Sequence, residues 1–280
     1  MNKKYTLNNG LEIPVIGFGT WQTPDGEVAE QSVLTALKAG YTHIDTAVAY
    51  KNEESVGRAI KESGLNRENL YITSKLANPS HTYEDAKQAI KDSLRKLDLE
   101  YIDLYLIHWP NPLAVRDHWK QRNADSWRAM EEAVDEGLIK SIGVSNFHPH
   151  HLDALLETAR IKPVVNQILL NPSDMQDELV NYNKKHDILS EGYSPLGTGK
   201  IFEVEALKDI ANKYNKTVAQ VVIRWSLHHG FLPLPKSVTP ERIVSNFDVF
   251  DFELSPEDIT FIDGLKGHAG SAINPDTAQF

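Results

Sequence analysis

From residue 15 almost to the end of the chain, short apolar runs alternate with stretches in which apolar residues recur every three or four positions. The runs at 15–19, 42–46, 70–75, 102–108, 139–144, 164–169, 188–193 and 231–234 read as strands. Between them, helical spacing puts Val56, Ala59 and Ile60 on one face, and likewise Ala86, Ala89, Ile90, Leu94 and Leu97. It recurs in Trp127, Met130 and Val134, in Leu152, Leu155, Leu156 and Ala159, and most clearly in Val218, Val221, Val222 and Trp225. Local signals punctuate the pattern. Asn9-Gly10 between two short apolar runs predicts an N-terminal β-hairpin. Thr82, three residues before Asp85, predicts a capped helix start, and Gly40 a helix end.

Strand–helix alternation implies parallel strands, and their near-continuous apolarity implies burial on both faces. Eight such units in a chain of this length predict an α/β fold, a (β/α)8 TIM barrel, treated as a single domain over 1–280. The rival is a doubly wound sheet with a dinucleotide crevice. Its phosphate fingerprint is incomplete, because Gly17-Phe18-Gly19-Thr20-Trp21-Gln22 lacks the third glycine. Residues 264–280 lose periodicity and are expected to be a tail or loop, a candidate to cross one mouth of the barrel.

Composition narrows the function without naming it. The 280 residues are 41% hydrophobic and 24% charged, a globular balance. Lys+Arg 29 against Asp+Glu 39 gives −10, which argues against a general nucleic-acid partner and leaves room for one local basic patch. The absence of cysteine excludes disulfides, thiolate nucleophiles and Cys-ligated metals. No apolar run suggests a signal peptide or a membrane partner, so a cytoplasmic protein is expected; a monomer is the default expectation, which the sequence itself does not decide.

In a barrel of this kind, chemistry gathers at the C-terminal strand ends. Asp45, Lys75 and His108 end three consecutive strands, and Tyr50 follows in the loop after the first of them. Neighbouring strands are only ~4.8 Å apart, so the four groups can meet. Singly, each has a plain alternative: Asp45 a helix cap, Lys75 a solvated strand end, Tyr50 a packed aromatic, His108 a core histidine. Together they suit proton donation to a carbonyl being reduced. An ammonium beside a phenol favours the phenolate, an aspartate keeps the lysine charged, and a histidine can orient the carbonyl oxygen. A hydride must come from elsewhere. Small residues in Ser194-Pro195-Leu196-Gly197-Thr198-Gly199-Lys200 allow close backbone approach to a pyrophosphate, though they would fit any loop. Lys236, Ser237 and Arg242, around a helix start at Thr239-Pro240, form an anion site or a capped turn with a solvated arginine.

Long motifs resemble the aldo-keto reductase superfamily: HIDTAVAYKNEESVGRAI at 43–60, YIDLYLIHWP at 101–110, WRAMEEAVDEGLIKSIGVSNF at 127–147 and LPKSVTPERIVSNFDVFDFELS at 234–255. Among prokaryotic members the chain is most similar to the 2,5-diketo-D-gluconate reductase group. The resemblance implies NADPH-dependent reduction of aldehydes and ketones, with Tyr50 as general acid and Asp45, Lys75 and His108 completing a catalytic tetrad. It also implies that Ser145, Asn146 and Gln167 hold the nicotinamide carboxamide and that Tyr193 stacks on the ring. Ser194, Leu196 and Gly197 would lie along the pyrophosphate, Lys236, Ser237 and Val238 around the 2′-phosphate, and Arg242 and Asn246 against the adenosine. Ser145-Asn146 could alternatively cap the helix predicted to begin near Pro149.

Trp21, Ala47 and Trp109, with His108 and a weaker candidate in Trp119, are expected to wall the substrate pocket, although the tryptophans also suit a core. Ala77 stands where the family often has tryptophan, which predicts a wider pocket. Thr42, Leu169 and Asn171 also depart from the family pattern. Two readings compete: a cofactor-binding redox sensor with little turnover, and a metal-dependent hydrolase built on His43, Asp45 and His108. His43 is better read as a core residue, and no metal site is expected.

Overall fold

The computed structural model describes residues 3–280. An antiparallel hairpin, β1 (Lys4–Thr6) and β2 (Glu12–Pro14), precedes the barrel, turning through Gly10 at φ 83°. The barrel strands are β3 (Phe18–Gly19), β4 (His43–Asp45), β5 (Tyr71–Leu76), β6 (Ile102–Ile107), β7 (Ile139–Ser145), β8 (Val165–Leu169), β9 (Leu189–Tyr193) and β10 (Leu232–Leu234). They pair in chain order, every neighbour parallel. Bonds of 3.1 Å from Gly17 N to Pro233 O and from Gly19 N to Pro235 O join β3 to β10 and close the ring. Gly17 has no substitute at that seam, because a Cβ there would stand 2.6 Å from both His43 Nδ1 and Leu234 Cδ2.

Helices α1 (Glu27–Ala39), α2 (Glu53–Ser63), α3 (Tyr83–Leu97), α4 (Trp119–Asp135), α5 (Pro149–Leu156), α6 (Asp177–Lys185), α7 (Glu205–Lys213), α8 (Val218–His228), α9 (Pro240–Phe247) and α10 (Pro256–Asp263) form the outer layer. The Thr82 hydroxyl accepts from Asp85 N at the start of α3, and Gly40 ends α1 in the left-handed region at φ 108°. Both signals act as the sequence predicts. Helix α5 stops at Leu156, three residues before the periodic pattern does, and leaves Ala159 packed beside the core. Helix α6 left little periodicity to read because it buries only Leu179 and Asn183.

Two apolar layers hold the shell. Helix faces such as Val56, Ile60, Ile90, Leu94, Trp127 and Met130 pack on the outside of the strands. Inside, Tyr71, Leu104, Leu106, Val165, Leu232 and Leu234 fill the lower barrel, and the hairpin's Leu7 and Ile13 plug its base. Asn8 Nδ2 donates to Pro163 O and Asn9 Nδ2 to Ser141 Oγ, both at 2.9 Å, which pins the hairpin there. With the N-terminal end stoppered, space for a ligand lies at the C-terminal end.

Candidate active site

Successive strand residues point to opposite faces, so the polar residues that enter the barrel are set by a period of two. On β4 these are His43 and Asp45, on β5 Thr73 and Lys75, on β8 Gln167, and on β9 Glu191 and Tyr193. Register brings them level. Gln167 pairs with both Ser145 and Glu191, and Asp45 with Thr73.

Lys75 is fully buried and donates to both Asp45 carboxylate oxygens at 2.8 Å, to Thr46 O at 2.9 Å and to the Tyr50 hydroxyl oxygen at 3.2 Å. Burial works against its charge, yet Asp45 and Tyr50 outweigh it and hold the ammonium's pKa above its usual value. Because the Tyr50 oxygen accepts from Lys75, its own proton is left to point away from the lysine. Burial is the largest influence on that phenol and raises its pKa, while Lys75 pulls the other way. The sequence-based expectation of a phenol tipped toward phenolate is therefore corrected: desolvation wins, and Tyr50 keeps its proton. The ring of His108 meets Tyr50 edge to face at 5.8 Å. Burial, aided by Lys75, lowers its pKa to about 3, so it is a neutral imidazole able to donate one hydrogen bond.

Asp45, Tyr50 and His108 open on a cavity of about 560 Å³. Its floor includes Ser145, Asn146, Gln167 and Tyr193. The Ser145 hydroxyl donates to Gln167 O at 2.8 Å, and the N-cap of α5 is His148, not Ser145 or Asn146. Asn146, held at φ 61°, donates to His108 O and accepts from the Tyr193 hydroxyl at 2.8 Å. Ser194, Leu196, Thr198 and Gly199 line one side, and Lys236 and Arg242 another. Lys236 donates to Gln22 O at 3.2 Å, and partial burial lowers its pKa.

Other expected residues lie off the wall. Ser237 Oγ accepts from Thr239 N and closes a turn, Val238 is exposed, and Asn246 is buried within α9. Gly197 backs onto Ala269, where a Cβ would come within 2.6 Å of the alanine's Cβ. Ala47 is fully buried, and Ala49 lines the cavity in its place. Trp21 and Trp109 do line it, whereas Trp119 packs edge-on against His151 at 4.8 Å. Ala77 follows β5 and is not among the residues that line the cavity. His43 bonds Thr73 at 2.9 Å, and burial keeps its imidazole neutral, as a core histidine.

Three features carried weaker signals. Ile273 and Phe280 line the mouth, and Phe280 meets Trp109 edge-on at 4.8 Å, so the aperiodic tail does cross the barrel. Phe202 joins them, and with Trp21 these side chains form an apolar rim that stays substantially exposed. Glu191 lies beneath the floor. The Gln167 Nε2 group donates to Asp45 Oδ2 at 2.8 Å and to Glu191 Oε2 at 2.9 Å, tying two buried carboxyls together. Period two counted back from Tyr193 reaches Glu191, a signal the apolar-run reading passed over.

Burial above all, then Asp45, pushes the Glu191 carboxyl up to about 8, against the pull of Gln167 and Lys75. Its other neighbours are the neutral His43 at 3.7 Å and the Tyr71 phenol. Because the folded value lies above the unfolded value of ~4.3, the native state retains a proton that the unfolded chain has lost. This contribution to stability is full below pH ~4.3 and disappears as pH rises through about 8. Glu191→Gln should remove that slope. Urea midpoints of the wild type should fall relative to the variant's between pH 5 and pH 9, and parallel profiles would contradict the assignment.

A closed (β/α)8 barrel thus gathers a buried Asp–Lys pair, bonded to a tyrosine and beside a neutral histidine, at the C-terminal ends of its strands. The chain belongs to the aldo/keto reductase family, whose model matches residues 15–266. It is 48% identical to glyoxal reductase of Bacillus subtilis over 274 residues, covering 98% of this chain and 96% of the relative. It is 46% identical to methylglyoxal reductase DkgA of Escherichia coli (strain K12) over 276 residues, again 98% and 96%. A crystal structure of a Gox0644 mutant in complex with NADPH superposes with a TM-score of 0.90 at 37% identity, covering all of both chains. No described helix is long and apolar enough to cross a membrane.

Proposed function

We propose that this protein is an NADPH-dependent reductase of small aldehydes and ketones, acting in the cytoplasm. The observation that carries the reading is the single hydrogen-bonded unit formed by Asp45, Lys75 and Tyr50, which presents a protonated phenol to a cavity. Family membership and the names of the relatives support it. The donor set fits a nicotinamide dinucleotide. At the tetrad end, the Ser145, Asn146 and Gln167 side chains match a carboxamide, and the Tyr193 ring a planar heterocycle. With its amide nitrogen committed to Asp45 and Glu191, Gln167 has its carbonyl oxygen left to accept from a carboxamide N–H. Lys236 and Arg242 supply the cations for a phosphate, and Gly199, in the left-handed region with open space around it, lets backbone lie close to one.

When bound, the nicotinamide supplies the hydride. The chain does the rest. His108 donates to the carbonyl oxygen and holds it toward Tyr50. Tyr50 passes its proton to that oxygen as negative charge develops there. Lys75 donates to the phenolate left behind, and Asp45 keeps Lys75 fixed and charged. The apolar rim of Trp21, Trp109 and Phe280 sheds water around the reacting carbonyl.

The test is NADPH consumption over a carbonyl panel headed by glyoxal and methylglyoxal, the compounds that name two relatives. kcat/KM with NADPH should exceed that with NADH by ~10-fold or more, since a charge-assisted bond to the additional phosphate contributes ~1.5–3 kcal/mol. Arg242→Ala combined with Lys236→Ala should close most of the gap. Tight NADPH binding with no consumption across the panel would favour a redox sensor, and equal efficiency with NADH would overturn the cofactor assignment.

A further inference from the structure

Outside the cavity, three side chains gather with metal-ligand chemistry. His148, His150 and Asp276 each offer one ligand atom, all within 4.8 Å of one another. The histidines flank Pro149 at the start of α5, and the aspartate comes from the C-terminal segment, more than 120 residues away. Sequence spacing therefore gave no sign of it. In a tetrahedral site with bonds of ~2.0–2.1 Å, ligand atoms stand ~3.3 Å apart. His150 Nε2 and Asp276 Oδ1 are already 3.3 Å apart.

A second observation supports a built site rather than a chance meeting of surface groups. His151, with its side chain fully buried, accepts from His148 N at Nδ1, at 3.1 Å, and its Nε2, which makes no hydrogen bond, lies 3.1 Å from Asp276 Oδ1. Asn111 Nδ2 donates to the same oxygen at 2.7 Å. A ligating carboxylate is ordinarily aimed by such outer partners. The positive end of α5 works against a cation here, and the Asp276 charge offsets it. Two imidazoles, one carboxylate and an outward position for water suit zinc, and the mixed nitrogen and oxygen set excludes a preference for the oxygen-seeking Mg²⁺ and Ca²⁺.

We propose that His148, His150 and Asp276 bind a divalent transition metal ion of the Zn²⁺ type, and that its binding fastens the C-terminal segment across the mouth of the barrel. Asp276 lies between Ile273 and Phe280, both of which line the cavity. Without metal, the segment is held by Arg116, which donates to Pro275 O and Ala278 O, and by the bond from Leu113 N to Phe280 O. A metal would add a crosslink from Asp276 to α5. The effect on substrate entry rests on the function proposed above, whereas the binding site does not.

The test is calorimetric titration of the intact protein with ZnCl₂, alongside His150→Ala, an exposed position whose loss should leave the fold intact. The wild type should bind one equivalent, and the variant should bind at least ten-fold more weakly. In parallel, carboxypeptidase release of Phe280 should slow with Zn²⁺ in the wild type and stay unchanged in the variant. No binding, or equal binding by both proteins through others of the 11 histidines, would overturn the site. Site-specific binding with unaltered Phe280 release would overturn the fastening. Carbonyl reduction is assayed without added metal, so its failure is read separately.

Discussion

Tyr50→Phe is expected to lower kcat by about 10²–10⁴ and leave the dissociation constant for NADPH essentially unchanged. The lost hydroxyl oxygen accepts from Lys75 at 3.2 Å on a residue that lines the cavity, and in the proposed reaction its proton is the one passed to the carbonyl. Phenylalanine keeps the ring that meets His108 edge to face, so the wall should hold its shape. His108 is no substitute donor of a full proton. Burial and Lys75 lower its pKa to about 3, which leaves it a neutral hydrogen-bond donor. The loss should therefore fall on kcat far more than on KM, the mark of an interaction made mainly in the transition state. Stopped-flow NADPH oxidation with saturating carbonyl, together with fluorescence titration of NADPH, separates the two quantities. Turnover within ten-fold of wild type would remove Tyr50 from the acid's role.

How much of this could be read before the fold was seen depends on the type of signal. Each barrel strand coincides with an apolar run in the sequence, because both faces of a parallel sheet are covered and β5 and β6 are buried throughout. The meeting of Asp45, Tyr50, Lys75 and His108 was equally legible, since Asp45, Lys75 and His108 stand at, beside or just past strand ends, where such barrels place their chemistry. Networks without a local pattern were harder. Glu191 matters through Gln167 and Asp45, residues of two other strands, and an isolated glutamate in an apolar run carries no message until register is known. The tail presented the same difficulty. Ile273 and Phe280 look like stray apolar residues in an aperiodic segment, and only their meeting with Trp109 and the cavity gives them a place. The direction of the Tyr50 shift also went beyond residue types, because it is decided by a competition between burial and one ammonium.

The second large effect should come from the pair beneath Tyr50. Lys75→Met is close to isosteric but removes the cation that donates to both Asp45 oxygens in a fully buried site. What remains is a buried carboxylate facing Gln167 Nε2, with Glu191 on the other side of the same amide. Breaking a buried pair from one side costs about 3–5 kcal/mol, because the surviving charge has lost its partner. Asp45→Asn should cost a similar amount by stranding the ammonium. The double variant Lys75→Met/Asp45→Asn strands neither charge, so it should be more stable than the sum of the single losses implies, by at least ~1 kcal/mol. Urea unfolding of the four proteins at pH 7 gives the coupling directly. All three variants should be nearly inactive, since Tyr50 loses either the donor to its phenolate or the group that fixes that donor. A restabilised but inactive double variant would separate the pair's role in catalysis from its role in folding. Strictly additive losses would mean that the Lys75–Asp45 contact holds neither the site nor the barrel together.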